Sequence, residues 1–172
     1  MKPGSSFSSP RWLPHQTPNL RQIILFFATG AGTGYIPWFP GSAGTLLAIP
    51  LSLGLNRIAG VSLPLALLTL AAFLALATWL CREAEAILQE KDCRRIVIDE
   101  VAGFLLANLF APAEFKPVAL AFILFRIFDI IKVFPAGRAE KIRGGLGVIL
   151  DDLIVGLYAL MIVRLLLFWG AI

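Results

Sequence analysis

The chain has 172 residues, 58% of them apolar and only 15% charged, with mean hydropathy +0.83 and net charge +4. A soluble domain carries about a quarter charged residues, so this composition excludes an ordinary soluble fold and points to one membrane-embedded domain. The basic residues sit in short connections between apolar runs with no aromatic interleaving, a positive-inside pattern, so no nucleic-acid partner is expected.

Met1–Asn19 is rich in Ser, Pro and Gly and lacks an apolar core, which predicts a disordered cytoplasmic tail and not a signal peptide. The membrane domain then covers residues 20–172. Leu20–Ala31 is a short apolar stretch, and Thr29–Thr45 is dense enough in Gly and Pro to be a loop. Leu46–Ile58 resumes apolar character, broken by Pro50, Asn56 and Arg57, and Val61–Leu80 is a run with no charge. Cys81–Arg95 reads as a polar helix. Its two thiols, Cys81 and Cys93, form no CxxC and are expected to stay reduced. Asp99-Glu100 open the next apolar element, Val101–Ala111; a turn at Pro112–Pro117 leads to Val118–Ile131, interrupted by Arg126 and Asp129. Lys132–Leu150 is a basic, glycine-containing loop (Gly144, Gly145, Gly147), and Asp151–Ile172 is the last apolar segment.

A hydrocarbon core about 30 Å thick needs about 20 helical residues. Val61–Leu80 and Leu153–Ile172 meet that length. Val101–Ala111 and Val118–Ile131 do not, so they are expected to form a hairpin that enters and returns. If Leu46–Leu80 is a second hairpin turning near Asn56–Gly60, every polar motif converges on one interface.

Carboxylates beside a bilayer are costly unless they bind a cation or each other. Arg126, Asp129 and Lys132 are three residues apart, which leaves neighbours about 60° apart on one helical stripe. They could be an intrahelical ion pair with a snorkelling lysine, or a phosphate grip built around a metal-binding aspartate. Asp99-Glu100 and Asp151-Asp152 each stand at an expected helix start, where one acid would be explained by capping. Two adjacent like-charged pairs favour an oxygen-rich site for a hard cation such as Mg²⁺. The glycines at 41, 44, 144, 145 and 147 could cradle an anion or simply turn the chain, and none has P-loop spacing.

His15, the only histidine, lies in the expected tail, and Cys93 has no arginine six positions on. Histidine and thiol phosphatase chemistry are thereby set aside, leaving carboxylates and metal-activated water. A divalent-cation transporter or channel is the rival reading, but it would place acids at mid-membrane depth, whereas these stand at segment ends.

Four stretches, GAGTGYIPWFPGSAGTLLAIP (Gly30–Pro50), IDEVAG (Ile98–Gly103), FRIFDIIKVFP (Phe125–Pro135) and GGLGVILDDLIVG (Gly144–Gly156), together resemble the phosphatidylglycerophosphatase A family of bacterial lipid phosphatases. The resemblance implies an all-α integral membrane helical bundle, of about four to six helices with short hairpin segments by the lengths above. It implies a Mg²⁺-dependent hydrolase that converts phosphatidylglycerophosphate to phosphatidylglycerol in a bacterial inner membrane, with membrane lipid as partner and the site facing the cytoplasm. Family pattern residues fall on Asp99, Glu100, Gly103, Arg126, Asp129, Lys132, Gly145, Asp151 and Asp152, while Val133 stands where the family commonly has proline. On this reading Asp99, Glu100, Asp129, Asp151 and Asp152 are the metal pool. Asp99, Arg126, Asp129, Lys132 and Asp152 are the catalytic set, with acyl chains against Val118–Phe125 and Leu153–Leu160.

Overall fold

The computed structural model describes residues 17–91, 93–136 and 145–171. Among them are six α-helices and no strand: α1 (Pro18–Ala28), α2 (Pro40–Val61), α3 (Leu63–Leu88), α4 (Ile98–Ala107), α5 (Phe115–Ile131) and α6 (Gly145–Phe168). A short 3₁₀ turn, Thr33–Tyr35, joins α1 to α2. The expected tail lies outside the described residues except for its last three positions, and Pro18 and Asn19 already belong to α1.

Helix boundaries differ from the sequence expectation in four places, each for a local reason. The Thr29–Thr45 loop is shorter than expected, because Pro40 occupies the first helical position, where its missing N–H costs nothing. From there α2 runs through Pro50, Asn56 and Arg57, so the hairpin turns at Ser62 and not near Asn56–Gly60. The Ser62 hydroxyl accepts a hydrogen bond from the Leu65 N–H and starts α3. Cys81–Arg95 is not a separate polar helix: α3 continues to Leu88 and stops at Gln89, which is left-handed at φ +53°. Finally, α6 begins at Gly145, so Asp151 and Asp152 lie inside the helix and not at its start. Gly144 and the middle of the expected basic loop, residues 137–144, fall outside the described residues.

The short helix α4 is the centre of the bundle, with eight of its ten residues buried. Phe104 packs edge-on against the fully buried Phe125 of α5, with ring centroids 6.1 Å apart. The helix contacts α2, α3, α5 and α6, so acids placed on its first turn are carried into the middle of the molecule.

α2 and α3 are both long and apolar enough to cross a membrane, yet only 28% and 22% of those spans are buried. Leu51, Leu65, Leu68 and Leu76 point outward, about half or more exposed. Helices that are apolar all round and mostly uncovered are suited to lipid, and the fold is that of a helical membrane protein. Cys81 and Cys93 are both free and buried, the first inside α3 and the second just before α4.

At the end of α4 remote from Asp99, Asn56 of α2 clamps the chain. Its amide donates to the carbonyls of Asn108 (2.8 Å) and Ala111 (3.1 Å), and its carbonyl accepts from the Phe110 N–H (2.8 Å). Arg164 of α6 donates to the Phe110 carbonyl, and Asn108 donates to Ser52. Asn56→Leu would strip partners from three backbone groups, so a loss of about 2–3 kcal/mol is expected. Unfolding of the variant in mixed detergent micelles measures it; a shift under half a kilocalorie would show the clamp to be dispensable.

Candidate active site

One cavity of about 400 Å³ collects the ends of four helices and the connection before α4. Asp99 and Glu100 come from the first turn of α4, Arg126 and Asp129 from the last turns of α5, Lys132 from its C-cap, and Asp151 and Asp152 from α6. Pro40, Gly41 and Ser42, the N-terminus of α2, close one side.

Close helix approach sets the geometry. A Cβ at Gly156 would overlap the carbonyl oxygen of Gly103, and one at Gly103 would come within 2.9 Å of Asp152 Cβ. Backbone therefore meets backbone between α4 and α6, as small residues permit inside membranes. One turn back along both helices, Asp99 and Glu100 meet Asp152: one carboxylate oxygen from each lies within 4.8 Å of the others. Asp99 is 7% and Asp152 5% exposed.

Gly41 is needed for a similar reason, since a Cβ there would run into Glu100 Oε1 and stand 3.0 Å from Arg126 Nη1. Its absence lets the positive end of the α2 dipole sit directly over the acids and the guanidinium. Arg126 Nη1 lies 2.8 Å from Asp129 Oδ2, an ion pair that lacks hydrogen-bond alignment. Nε and Nη1 of Arg126 and Oε2 of Glu100 are buried with no hydrogen-bond partner. Lys132 Nζ is 3.7 Å from Asp151 Oδ2. Trp38 and Phe39, 80% and 69% exposed, stand at the rim.

A model of the family described as Phosphatidylglycerophosphatase A matches residues 26–167. The chain belongs to the phosphatidylglycerophosphatase A family. Similar proteins include one from Haemophilus influenzae named Phosphatidylglycerophosphatase A, 33% identical over 158 residues covering 91% of this chain and 96% of that one. One of the same name from Escherichia coli is 31% identical over 133 residues, 75% and 74% of the two chains. A Bacteroides thetaiotaomicron protein named "Putative phosphatidylinositol-3-phosphatase" is 35% identical over 150 residues, 82% and 91% of the two chains. No solved structure matches.

The phosphatidylglycerophosphatase A motifs fall onto this cavity, but the structure sorts their acids. Asp99, Glu100 and Asp152 form the tight trio, whereas Asp129 and Asp151 line the same cavity each beside a cation. At 4.8 Å two carboxylates repel by about 3 kcal/mol at an effective dielectric near 20. A hard divalent cation offsets that repulsion, and the partnerless Glu100 Oε2 is a donor still available to it, so the trio fits Mg²⁺. Val133 has a local role where the family commonly has proline: its N–H reaches the Phe128 carbonyl at 3.4 Å as the chain turns left-handed at Lys132, φ +51°.

Arg94 and the rim aromatics also line the cavity and were not picked out from the sequence. Arg94 looked like one more positive-inside charge. Its loop is held by Glu90, whose carboxylate accepts from Cys93 Sγ (3.1 Å) and Arg95 Nη2 (3.0 Å). Those two bonds, Cys93 first, hold the exposed Glu90 carboxyl below its ordinary pKa.

Proposed function

We propose that this chain is a Mg²⁺-dependent phosphatase that hydrolyses phosphatidylglycerophosphate to phosphatidylglycerol and inorganic phosphate, a step of phospholipid biosynthesis. One observation carries the reading: the buried Asp99 and Asp152 and the half-buried Glu100, with carboxylate oxygens within 4.8 Å, share a cavity with an arginine whose Nε and Nη1 lack hydrogen-bond partners. That combination answers a phosphomonoester, which brings negative oxygens for the guanidinium and for a shared cation.

Asp99, Glu100 and Asp152 would hold Mg²⁺, which would supply Lewis-acid polarisation of a phosphoryl oxygen and activation of water. Arg126, whose Nε and Nη1 lack hydrogen-bond partners, would bind phosphoryl oxygens through its guanidinium and keep the phosphorus oriented as charge builds on them. Lys132, 42% exposed and only loosely approached by Asp151, would reach a third oxygen from the solvent side. The first-turn amides of Gly41 and Ser42 add dipole stabilisation. Asp129 and Asp151 stand outside the trio and are the carboxylates left to take the proton of the attacking water; as the bond from phosphorus to glycerol oxygen breaks, that oxygen takes a proton back and leaves as the hydroxyl.

Basic residues support a cytoplasmic site in a multi-pass inner-membrane protein: Arg94 and Lys132 line the cavity, and Arg82, Lys91 and Arg95 lie in the last turns of α3 and the connection from it to α4. The Bacteroides relative's name raises a second lipid phosphomonoester, the inositol 3-phosphate class. Phosphate release from phosphatidylglycerophosphate and phosphatidylinositol 3-phosphate, each with Mg²⁺ and with excess chelator, separates these. Release from the former that stops on chelation is the expected result. Release only from the inositol lipid would change the substrate, and release that survives chelation would remove the metal from the mechanism.

A further inference from the structure

We infer that the seam between α2 and α5 below the cavity is a groove for one acyl chain of the lipid whose phosphate the cavity takes. The inference rests on the lipid-phosphomonoester reading and adds where the tail goes. A second concavity, about 430 Å³, opens between these two helices and is almost wholly apolar.

The cavity and the groove occupy single faces of the same two helices. On α5, Phe115, Val118, Phe122 and Ile123 line the groove, and the same three- and four-residue steps continue to Arg126, Asp129 and Ile130 in the cavity. On α2, Ser42 lines the cavity, and Leu46, Ile49 and Leu53 follow in the groove at steps of four, three and four. Both stripes change from polar to apolar, ionic on α5 and Ser42 on α2, and Gly41 beside Arg126 puts the two polar ends together. The two helices touch only sparingly, which leaves the seam open.

An occupant must therefore be apolar along its length and end in an anion at the cavity, which a second copy of the chain does not offer and an acyl chain on a phosphorylated headgroup does. Size agrees. A methylene takes about the volume of a water, about 30 Å³, so the groove holds roughly fourteen. By helix rise, Phe122 and Phe115 lie about 10 and 20 Å from Asp129 along α5, on either side of the roughly 15 Å depth of one leaflet's tails. The Leu153–Leu160 segment, expected to be a second wall, is not on this groove; α2 takes its place.

Moving a tail from bilayer to groove gains no hydrophobic free energy, since both are apolar. The groove's contribution is orientation of the headgroup, so it should show in kcat/KM. Ala119→Trp and Leu53→Trp each place an indole in the groove on the outer surface of the bundle. Both should lower kcat/KM for dipalmitoyl phosphatidylglycerophosphate about tenfold. Dihexanoyl substrate, whose tails end short of the filled stretch, should react at the wild-type rate. Loss on neither substrate, or equal loss on both, overturns the groove.

A second arm does not depend on turnover. Phosphatidylglycerophosphate and phosphatidylcholine, each with a diazirine midway along one chain, are photolysed with wild-type protein in bilayer vesicles and the adducts mapped. Enrichment at Leu53, Val118 and Phe122 with the phosphomonoester alone supports the groove, and equal labelling by both lipids overturns it. Enriched labelling without phosphate release would refute the phosphatase and keep the groove; phosphate release without enrichment would do the reverse.

Discussion

Asp152→Asn should lower turnover by about a thousandfold while leaving the fold intact. The side chain is 5% exposed and meets Asp99 and Glu100 from across the α4–α6 contact, so the amide keeps its shape and removes only the charge. Stability should respond in a characteristic direction. With chelator present, the variant should unfold at the same temperature as the wild type or higher, because one of three mutually repelling carboxylates has gone. With Mg²⁺ present, the wild type should gain about 2.7 kcal/mol at a hundredfold excess over Kd, and the variant little. Asp129→Asn is the contrast: its partner is Arg126 at 2.8 Å, so turnover should fall while the Mg²⁺-dependent stabilisation persists. Thermal unfolding in detergent with and without the metal reads both. An Asp152→Asn protein that keeps its Mg²⁺ stabilisation, or unfolds early in chelator, would show that the trio is not the cation site.

The convergence of the polar motifs was legible because it follows from lengths: segments too short to cross must return, and paired acids at their ends then meet. Which acids meet was not legible. Asp99 and Asp152 are brought together by Gly103 touching Gly156, a contact between residues far apart in sequence that no local pattern encodes. Asp151 and Asp152 also looked equivalent as a pair at a helix start. Inside a helix adjacent residues point about 100° apart, so one turns to Lys132 and the other to α4. That misreading came from taking Gly145 and Gly147 as chain breakers, although α6 begins at the first and runs through the second. Pro50, Asn56 and Arg57 misled in the same way within α2, where Asn56 hydrogen-bonds the end of α4. Arg94 was hidden by a correct general rule, since a basic residue in a connection ordinarily needs no further reason.

The glycine contact supplies the other large expected effect. Gly156→Ala adds a single methyl group, and that methyl overlaps a backbone oxygen of Gly103, which cannot swing aside as a flexible side chain can. The α4–α6 pair must separate, at a cost of about 1–3 kcal/mol. Asp152 lies one turn away on the separating helix, and a displacement of about 1 Å at a reacting centre costs about a hundredfold in rate. Activity should therefore fall by about that factor under conditions where the variant remains fully folded. Gly54→Ala is the matched control: a Cβ there meets nothing within 4 Å, so it should be neutral or gain up to about 1 kcal/mol from helix propensity, with activity unchanged. Rates for both variants, taken well below their unfolding temperatures, separate positioning from stability. A Gly156→Ala enzyme that is destabilised yet fully active would mean that the acids find each other without the close helix approach, and the packing would then serve the fold alone.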